Sequence, residues 1–256
     1  MIAKTAEEVQ ILREGGRRLA RHLSILLDLV NPGVDVRDIE KMAQDMVAKD
    51  GDQLAFMGYP SGRRGEKFPT AICLSINDAI VHGIQSQTDY VLQEGDVVSI
   101  DFGIKHKGLY TDHAGTRIAG TPLSEQDERL VRGTYEALEV GIAAAHEGGR
   151  TGDIGAAVEK VAKKYGFGFP LDLAGHGVGR HLHEDPHVPN YGVPGAGALL
   201  EHNLVIAIEP MMTLGTGDLY VDKDAFTYRT KDGSRSAHAE HTVIITEDGA
   251  EILTKE

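Results

Sequence analysis

The segment VVSIDFGIKHKGLYTD, residues 97–112, decides the fold because it has the pattern of two strands joined by a tight turn. Apolar side chains alternate along its first strand, and this alternation leaves Asp101 on the opposite face. The chain turns at residues 106–108 and returns through Asp112. A turn between residues 106 and 107 places the two aspartates directly opposite each other, whereas a two-residue change of register makes them diagonal neighbours on one face. Such a pair either faces solvent or holds a cation, because facing like charges destabilise a sheet.

Two acidic residues further along the chain favour the cation. Glu209 ends the apolar run 204–208, and Glu240 lies beside the apolar run 242–245. Isolated buried carboxylates are costly, so they are normally paired or bound to a metal. His176, in the segment GHGVGR, adds one imidazole to the set.

Charge balance indicates two divalent cations rather than one. Four carboxylates balance two such ions, whereas a single ion leaves strong mutual repulsion. Oxygen-rich ligation with one imidazole and no thiolate suits Mn²⁺, Fe²⁺ or Co²⁺ and also accommodates Zn²⁺. Two such ions, roughly 3.5–4 Å apart, can share bridging carboxylates.

The predicted order of helices and strands occurs twice along the chain. A helix predicted from a cap at Thr5 to about residue 31 and a second over 35–49 precede the first strands. A helix from a cap at Ser124 to about residue 148 and another from about 153 precede the later strands. At an offset of 115 the second helix of each pair carries apolar residues at matching positions. We therefore predict one domain over 1–256, with αβ halves at about 1–120 and 121–256 related by an approximate two-fold axis. A composite sheet with helices on one side would have its cleft near that axis.

Composition and charge limit the class of protein. The 256 residues suffice for a full core, and the apolar runs are shorter than the roughly 20 residues of a membrane span. The first thirty residues do not resemble a signal peptide, and the single cysteine, Cys73, excludes an internal disulfide. A net charge of −13 argues against direct binding of nucleic acid. These features predict a cytoplasmic protein without a membrane partner.

Five segments in order closely resemble the type I methionine aminopeptidases, members of the pita-bread metallopeptidase family. The segments are NDAIVHGI at 77–84, the hairpin 101–112, GHGVGRHLHEDP at 175–186, IEP at 208–210 and SAHAEHT at 236–242. The resemblance extends from about residue 5 to 252. It implies an α+β pita-bread fold, in which a curved antiparallel sheet is covered by helices on one side.

The resemblance also assigns roles in a metal centre. It implies that Asp101 binds one divalent ion, that His176 and Glu209 bind the other, and that Asp112 and Glu240 bridge them. The ions would be cobalt, manganese, iron or zinc, and a hydroxide held by them would attack the first peptide bond, with Glu209 as general base.

The implied substrates are the N-terminal methionines of nascent proteins that have a small second residue. His82 and His183 would contact the scissile amide and the tetrahedral intermediate. The enzyme would be a monomer that acts on nascent chains, with the ribosome as one place of action.

The same resemblance predicts a methionine pocket lined by Tyr59, Phe68, Cys73, Leu182 and Phe226. Without the resemblance, the sequence favours an ordinary core position for each of these residues. Asn77 and Ser236 match positions that help to hold a monovalent cation in some relatives.

The chain departs from the family pattern at a few positions. Phe68, Leu182 and Phe226 replace residues that are usually tyrosine, phenylalanine and tryptophan, which affects the pocket's shape. His113 replaces a small hydroxyl residue beside the metal centre. The loop 60–67, with Arg63 and Arg64, reads as an insertion that is either solvated or in contact with substrate or ribosome.

Three alternative assignments fit the sequence less well. A proline-specific peptidase has a similar ligand set but usually a separate N-terminal domain, which a chain of this length does not accommodate, and His82-Gly83-Ile84 also favours methionine release. A type II methionine aminopeptidase usually has a helical insertion between the positions of His176 and Glu209, where only 32 residues intervene here. A non-catalytic binding module of the same fold typically loses metal ligands, and all five are present.

Overall fold

The structure is a computed structural model that describes residues 1–60 and 65–256. Its α-helices are α1 (Ala6–Asp28), α2 (Val36–Asp50), α3 (Glu125–Ala144) and α4 (Thr151–Tyr165), with a short 3₁₀ helix at Gln85–Gln87. The first-half strands are β1 (Gln53–Leu54), β2 (Cys73–Ile76), β3 (Ala79–Val81), β4 (Val97–His106) and β5 (Leu109–Ile118). The later strands are β6 (Ala174–Gly177), β7 (Glu184–Pro189), β8 (Val205–Ile208), β9 (Met211–Thr213), β10 (Leu219–Val221), β11 (Tyr228–Thr230), β12 (Ser236–His238), β13 (His241–Thr246) and β14 (Gly249–Ile252).

Strands β4 and β5 form the hairpin that the opening segment predicts. Its turn residues, Lys107 and Gly108, both have positive φ angles, 45° and 92°, as the tightest hairpin turns require. The turn therefore lies between residues 107 and 108, and Asp101 pairs with Ala114 while Asp112 pairs with Gly103. Of the two registers considered, the structure has the shifted one, in which the aspartates are diagonal neighbours on the same face.

Helices α2 and α4 display the repeat at an offset of 115. Both span 15 residues, and both end at a left-handed glycine, Gly51 with φ 73° and Gly166 with φ 74°. Glycine adopts this conformation without the steric cost that a Cβ imposes, so it terminates each helix at the same point. Only part of the predicted apolar face is internal, since Met42 is 39% exposed while its neighbour Ile39 is fully buried.

Each half buries an antiparallel sheet beneath helices. In the first half, β1, β4 and β2 are adjacent, β5 pairs with β4, and α1 packs its leucines against Ile100 and Phe102. In the second half, the order is β14-β13-β8-β6-β7, and Ile154 of α4 packs against Ile206 and Ile208 of β8. Among the helices of the described residues, none combines the length and hydropathy needed to cross a bilayer.

Two threonine hydroxyls join the halves at their seam. Thr242 accepts a hydrogen bond from the backbone N–H of Asp112 (2.9 Å) and donates one to its carbonyl oxygen (2.7 Å). Thr116 does the same for His238, at 2.9 and 2.7 Å. The Glu240 N–H donates to the carbonyl of Ala114 (3.0 Å). These bonds bring acidic residues from the two halves together.

Candidate metal centre and substrate pocket

Five elements bring the predicted ligands to one cavity. The five side chains, Asp101, Asp112, His176, Glu209 and Glu240, all line it. Three of them, Asp112, His176 and Glu240, have donor atoms within 4.8 Å of one another. The His176 Nε2 atom lies 3.4 Å from Oε1 of Glu209, which adds the fourth member.

Glycines beside His176 allow this convergence. A Cβ at Gly175 would lie 2.3 Å from the carbonyl oxygen of Ala207, and one at Gly177 would lie 2.1 Å from that of Asp185. Real Cβ atoms do not approach an oxygen so closely, so strand β6 fits between its neighbours only with glycine at both positions. The imidazole between them is therefore placed by backbone packing.

The carboxylates of this cluster lack compensating basic side chains. Asp112 is 3% exposed and Glu240 is 2% exposed. Oδ1 of Asp101 and Oε1 of Glu240 are buried and have no hydrogen-bond partner within the described part of the chain. In that same part, the only ion pairs within 4.0 Å that involve these acids join Glu209 to histidines. An unpaired buried carboxylate is costly, so the donor set fits divalent cations.

Burial shifts the protonation of every acid in the cluster. It raises the pKa of Asp112 to about 7 and that of Glu209 to about 8. Burial, reinforced by the charges of neighbouring acids, raises the pKa of Asp101 and of Glu240 well above their usual values. Bound cations reverse these shifts because they favour the charged form.

The neighbouring histidines are neutral. Burial lowers the pKa of His176 to about 3 and that of His82 to about 4, and it also lowers the pKa of His183. A neutral imidazole has one lone pair for a metal and one N–H for hydrogen bonding. His183 Nδ1 lies 2.9 Å from the Tyr59 hydroxyl, and its ring contacts His176 edge to face with centroids 4.4 Å apart.

His82 has an unusual backbone conformation. Its φ angle is 54°, which is uncommon for a residue with a Cβ. The ring lines the cavity and contacts Tyr228 edge to face, with centroids 5.5 Å apart. Strained residues of this kind cluster at active sites, where the surrounding structure holds them.

An apolar pocket adjoins the acids. Phe56, Tyr59, Phe68, Cys73 and Leu182 form one cluster and line the same cavity. Cys73 pairs with Asp101 across strands β2 and β4. Burial, reinforced by the Asp101 charge, raises the pKa of Cys73 well above its usual value, so the thiol stays protonated and is a wall rather than a nucleophile.

Phe226 belongs to the same apolar cluster as the predicted pocket residues. It contacts Phe68 edge to face, with centroids 5.6 Å apart, and is not among the residues that line the cavity. Its contact with the cavity therefore passes through Phe68. Phe56 takes a lining position that the sequence did not indicate, because no motif surrounds it.

His113 fills space behind the centre. Its Nδ1 atom lies 2.5 Å from the carbonyl oxygen of Glu240, and its ring stacks on His241 with centroids 4.5 Å apart. A small hydroxyl residue could not stack in this way. The histidine at position 113, in place of a small hydroxyl residue, therefore changes which side chain contacts the backbone of Glu240.

Oxygen atoms converge at the predicted monovalent site. Ser236 Oγ lies 2.8 Å from the carbonyl oxygen of Asn77 and 3.1 Å from that of Ala79, and its single hydroxyl proton serves both acceptors. Of the loop 60–67, Pro60 and Lys67 form an antiparallel bridge. The predicted contacts of Arg63 and Arg64 lie outside the described residues.

Sequence reasoning missed three further residues near the centre. Asp172 and His187 are exposed and line the cavity mouth. His238 is buried, and its Nε2 atom lies 3.5 Å from Oε2 of Glu209. Burial lowers the pKa of His238 to about 3. The only sequence signal for His238 is its position two residues before Glu240.

Known proteins resemble this chain over its whole length. The model of metallopeptidase family M24 matches residues 10–247. The methionine aminopeptidase of Aquifex aeolicus is 42% identical over 250 residues, which cover 97% of this chain and 96% of the relative. That of Mycoplasma capricolum is 40% identical over 252 residues and covers 98% and 97%. The crystal structure of the Thermotoga maritima methionine aminopeptidase matches with a TM-score of 0.94 at 41% identity and covers 100% of both chains.

Proposed function

The chain belongs to metallopeptidase family M24, as a metal-dependent methionine aminopeptidase with the pita-bread fold, and we propose that it removes the N-terminal methionine from nascent proteins. One observation carries this proposal. Two buried carboxylates, two half-buried ones and a neutral imidazole meet at one end of an apolar pocket, and the described residues place no lysine or arginine within 4.0 Å of these acids.

We propose that these five side chains hold two divalent cations. Asp101 would bind the first ion, His176 and Glu209 the second, and Asp112 and Glu240 would bridge both. Co²⁺, Mn²⁺, Fe²⁺ and Zn²⁺ all suit such a set. When bound, the pair polarises the scissile carbonyl and makes a water acidic enough to be deprotonated near neutral pH.

Glu209 would handle the proton because its two carboxylate oxygens face different partners. Its Oε1 atom lies 3.4 Å from His176 Nε2 and its Oε2 atom lies 3.5 Å from His238 Nε2, so one oxygen can face the cation while the other accepts a proton. Glu209 would take the proton of the attacking water on a carboxylate oxygen and pass it to the leaving amine. His82 and His183 would donate N–H groups to the substrate amide and to the oxyanion that forms during attack.

The apolar cluster would receive the methionine side chain. A flexible thioether fits irregular apolar space and contacts aromatic rings favourably, and Phe56, Tyr59 and Phe68 provide the rings. We further propose that a monovalent cation binds near Asn77 and Ser236, where three oxygen atoms converge.

The proposed setting is the cytoplasm. A monomer would act on the N-termini of nascent chains, at or near the ribosome, and would require neither nucleic acid nor a membrane. The short apolar runs of the sequence and its single, buried cysteine support this setting.

The decisive assay compares peptides that differ at one position. Protein loaded with Mn²⁺ or Co²⁺ should release methionine from Met-Ala-Ser and should cleave neither Met-Lys-Ser nor Ala-Pro, because the pocket accepts methionine and a small second residue. Wild-type protein treated with chelator is the control and should be inactive. Cleavage of Ala-Pro without methionine release would assign the chain to the proline-specific members of the fold.

A further inference from the structure

His238 is a buried polar residue that the proposed mechanism does not use. Its side chain is 2% exposed, and neither ring nitrogen has a hydrogen-bond partner within residues 1–60 and 65–256. Buried polar groups are normally satisfied, and an exception calls for an explanation. The nearest acid is Glu209, whose Oε2 atom lies 3.5 Å from His238 Nε2.

Glu209 lies between two imidazoles, one at each carboxylate oxygen. Its Oε1 atom is 3.4 Å from His176 Nε2, while Oε2 faces His238. Two donors of one tetrahedral cation, with bonds near 2.1 Å, are separated by about 3.4 Å. The separation of Oε1 and His176 Nε2 therefore suits joint binding of one ion, which leaves Oε2 as the oxygen that faces away from that ion.

The backbone holds His238 rigidly in this position. Its N–H and its carbonyl oxygen both bond to the Thr116 hydroxyl, at 2.9 and 2.7 Å. The hydroxyl of Ser99 contacts that of Thr116 at 2.7 Å, which fixes the threonine in turn. On its other side, His238 pairs with Met211, two residues beyond Glu209. The ring and the carboxylate are thus attached to neighbouring strands.

We propose that His238 is a positioning residue, whose Nε2–H donates to Oε2 of Glu209 in the metal-loaded enzyme and keeps Oε1 directed at the cation. A contraction of less than about 1 Å brings the present separation to normal hydrogen-bond length, and such contacts are often long before substrate binds and then tighten. Each carboxylate oxygen accepts two hydrogen bonds, so Oε2 retains a lone pair for the proton transferred in catalysis. This inference rests on the proposed metal role of Glu209.

Two substitutions at residue 238 test the proposal. His238→Leu replaces the imidazole with an apolar side chain of moderate size and removes the hydrogen-bond donor. His238→Gln retains a donor at similar reach. Partners that orient metal ligands typically contribute about 10–100-fold to metal affinity or activity. We expect the leucine variant to bind two Mn²⁺ ions per chain, to lose 10–100-fold in kcat on Met-Ala-Ser and to keep its KM within about threefold. The glutamine variant should recover most of that kcat.

The matched control is His202→Ala, which removes an exposed histidine remote from the cavity and should leave all values unchanged. Wild-type kinetics in the leucine variant would make His238 an ordinary core residue, and loss of one Mn²⁺ equivalent would make it a direct ligand. Either result overturns the proposal. Wild-type protein that neither binds two ions nor cleaves Met-Ala-Ser would instead contradict the proposed function.

A measurement on wild-type protein tests the proposal even if the leucine variant does not fold. In ¹H–¹⁵N spectra of histidine rings from Zn²⁺-loaded protein, the signals missing from the glutamine variant identify His238. We expect a neutral ring protonated at Nε2, with a slowly exchanging proton. A ring protonated at Nδ1 alone could not donate to Glu209 and would overturn the proposal.

Discussion

Two clusters of buried acids in this protein are balanced in opposite ways. The first, here called the α1 cluster, comprises Asp50 and Asp52 with Arg18, Arg21, His22 and His106. Asp52 lies 2.6 Å from His106 and 3.4 Å from Arg18. Asp50 lies 2.6 Å from Arg21 and 3.0 Å from His22. Each acid there has basic partners from the chain itself.

The second cluster is the metal centre, and in residues 1–60 and 65–256 its four acids have no lysine or arginine within 4.0 Å. Both clusters place carboxylates beside imidazoles, so residue type alone does not distinguish them. The source of the balancing positive charge distinguishes them. Arginine supplies permanent positive charge in the α1 cluster, whereas at the candidate metal centre the proposed cations would supply both the charge and the chemistry.

The largest effect should follow from removing a bridging ligand. Asp112→Asn forfeits several kcal/mol of charge stabilisation, and about 4 kcal/mol corresponds to roughly a thousandfold loss of kcat/KM on Met-Ala-Ser. In chelator at pH 8, above the raised pKa of Asp112 of about 7, the same variant should be more stable than wild type in urea, because one uncompensated buried charge is gone. The control Asp248→Asn changes an exposed acid outside the cavity and should alter neither value. An active Asp112→Asn enzyme would remove the distinction between the clusters.

The corresponding change in the α1 cluster should act with the opposite sign. Asp52 has a 3% exposed side chain, and Asp52→Asn leaves the more exposed Glu14 as the acid within 4.0 Å of Arg18 (2.6 Å) and His106 (3.4 Å) among the described residues. Breaking a buried pair costs about 3 kcal/mol. We expect that loss of unfolding free energy in urea, with kcat/KM of the folded variant within about twofold of wild type. A thousandfold loss of activity without a change in stability would show that this cluster, too, is functional.

The pH dependence of stability should depend on metal. The raised pKa values of Asp112 and Glu209, about 7 and 8, mean that folded, chelated protein binds protons that the unfolded chain does not. Its stability should therefore fall as pH rises from about 6.5 to 8. Below that window the lowered pKa values of buried histidines such as His176 act in the opposite direction. The lowered pKa of the Met1 amine makes stability rise with pH in the same window, but it is one group, whereas four acids have the opposite effect.

Urea titrations at pH 6.5, 7.2 and 8.0 measure this slope. With saturating Mn²⁺ the acids should be ionised in the folded state throughout, so the decline should disappear. A decline of equal size with and without Mn²⁺ would mean that the raised pKa values do not belong to metal ligands.

The smallest effect should come from an exposed ion pair outside the α1 cluster. Lys107 is 60% exposed and pairs with Glu14 at 3.0 Å. Solvent-exposed pairs contribute little, so Lys107→Ala should change the unfolding free energy by less than about 0.5 kcal/mol. Differential scanning calorimetry would measure the change. A loss as large as that of Asp52→Asn would show that exposure does not set the strength of these pairs.

The predicted fold and family are confirmed by the match of the Thermotoga maritima structure and by the relatives. The hairpin and the helix repeat can be predicted from the sequence because they depend on local periodicity and on glycines at turns and helix ends. The sequence does not determine the register of the hairpin, because the choice depends on Lys107 adopting a positive φ angle beside Gly108. Sequence patterns do not favour that conformation for lysine.

The five candidate ligands can be predicted from the sequence, but the residues that surround them cannot. Charge balance and motif order indicated the five ligands. The roles of Phe226 and His238 depend on contacts between distant segments, such as the bonds from Thr116 to His238 across the seam. The sequence marked His113 as a departure, but its stack on His241 requires the strands to be in place.

The most direct test of the account is an anomalous difference map from crystals grown with Mn²⁺. We predict two peaks per chain, about 3.5–4 Å apart, enclosed by Asp101, Asp112, His176, Glu209 and Glu240. A map without peaks at these side chains, or with manganese bound elsewhere on the chain, would contradict the central claim that they form a dinuclear site.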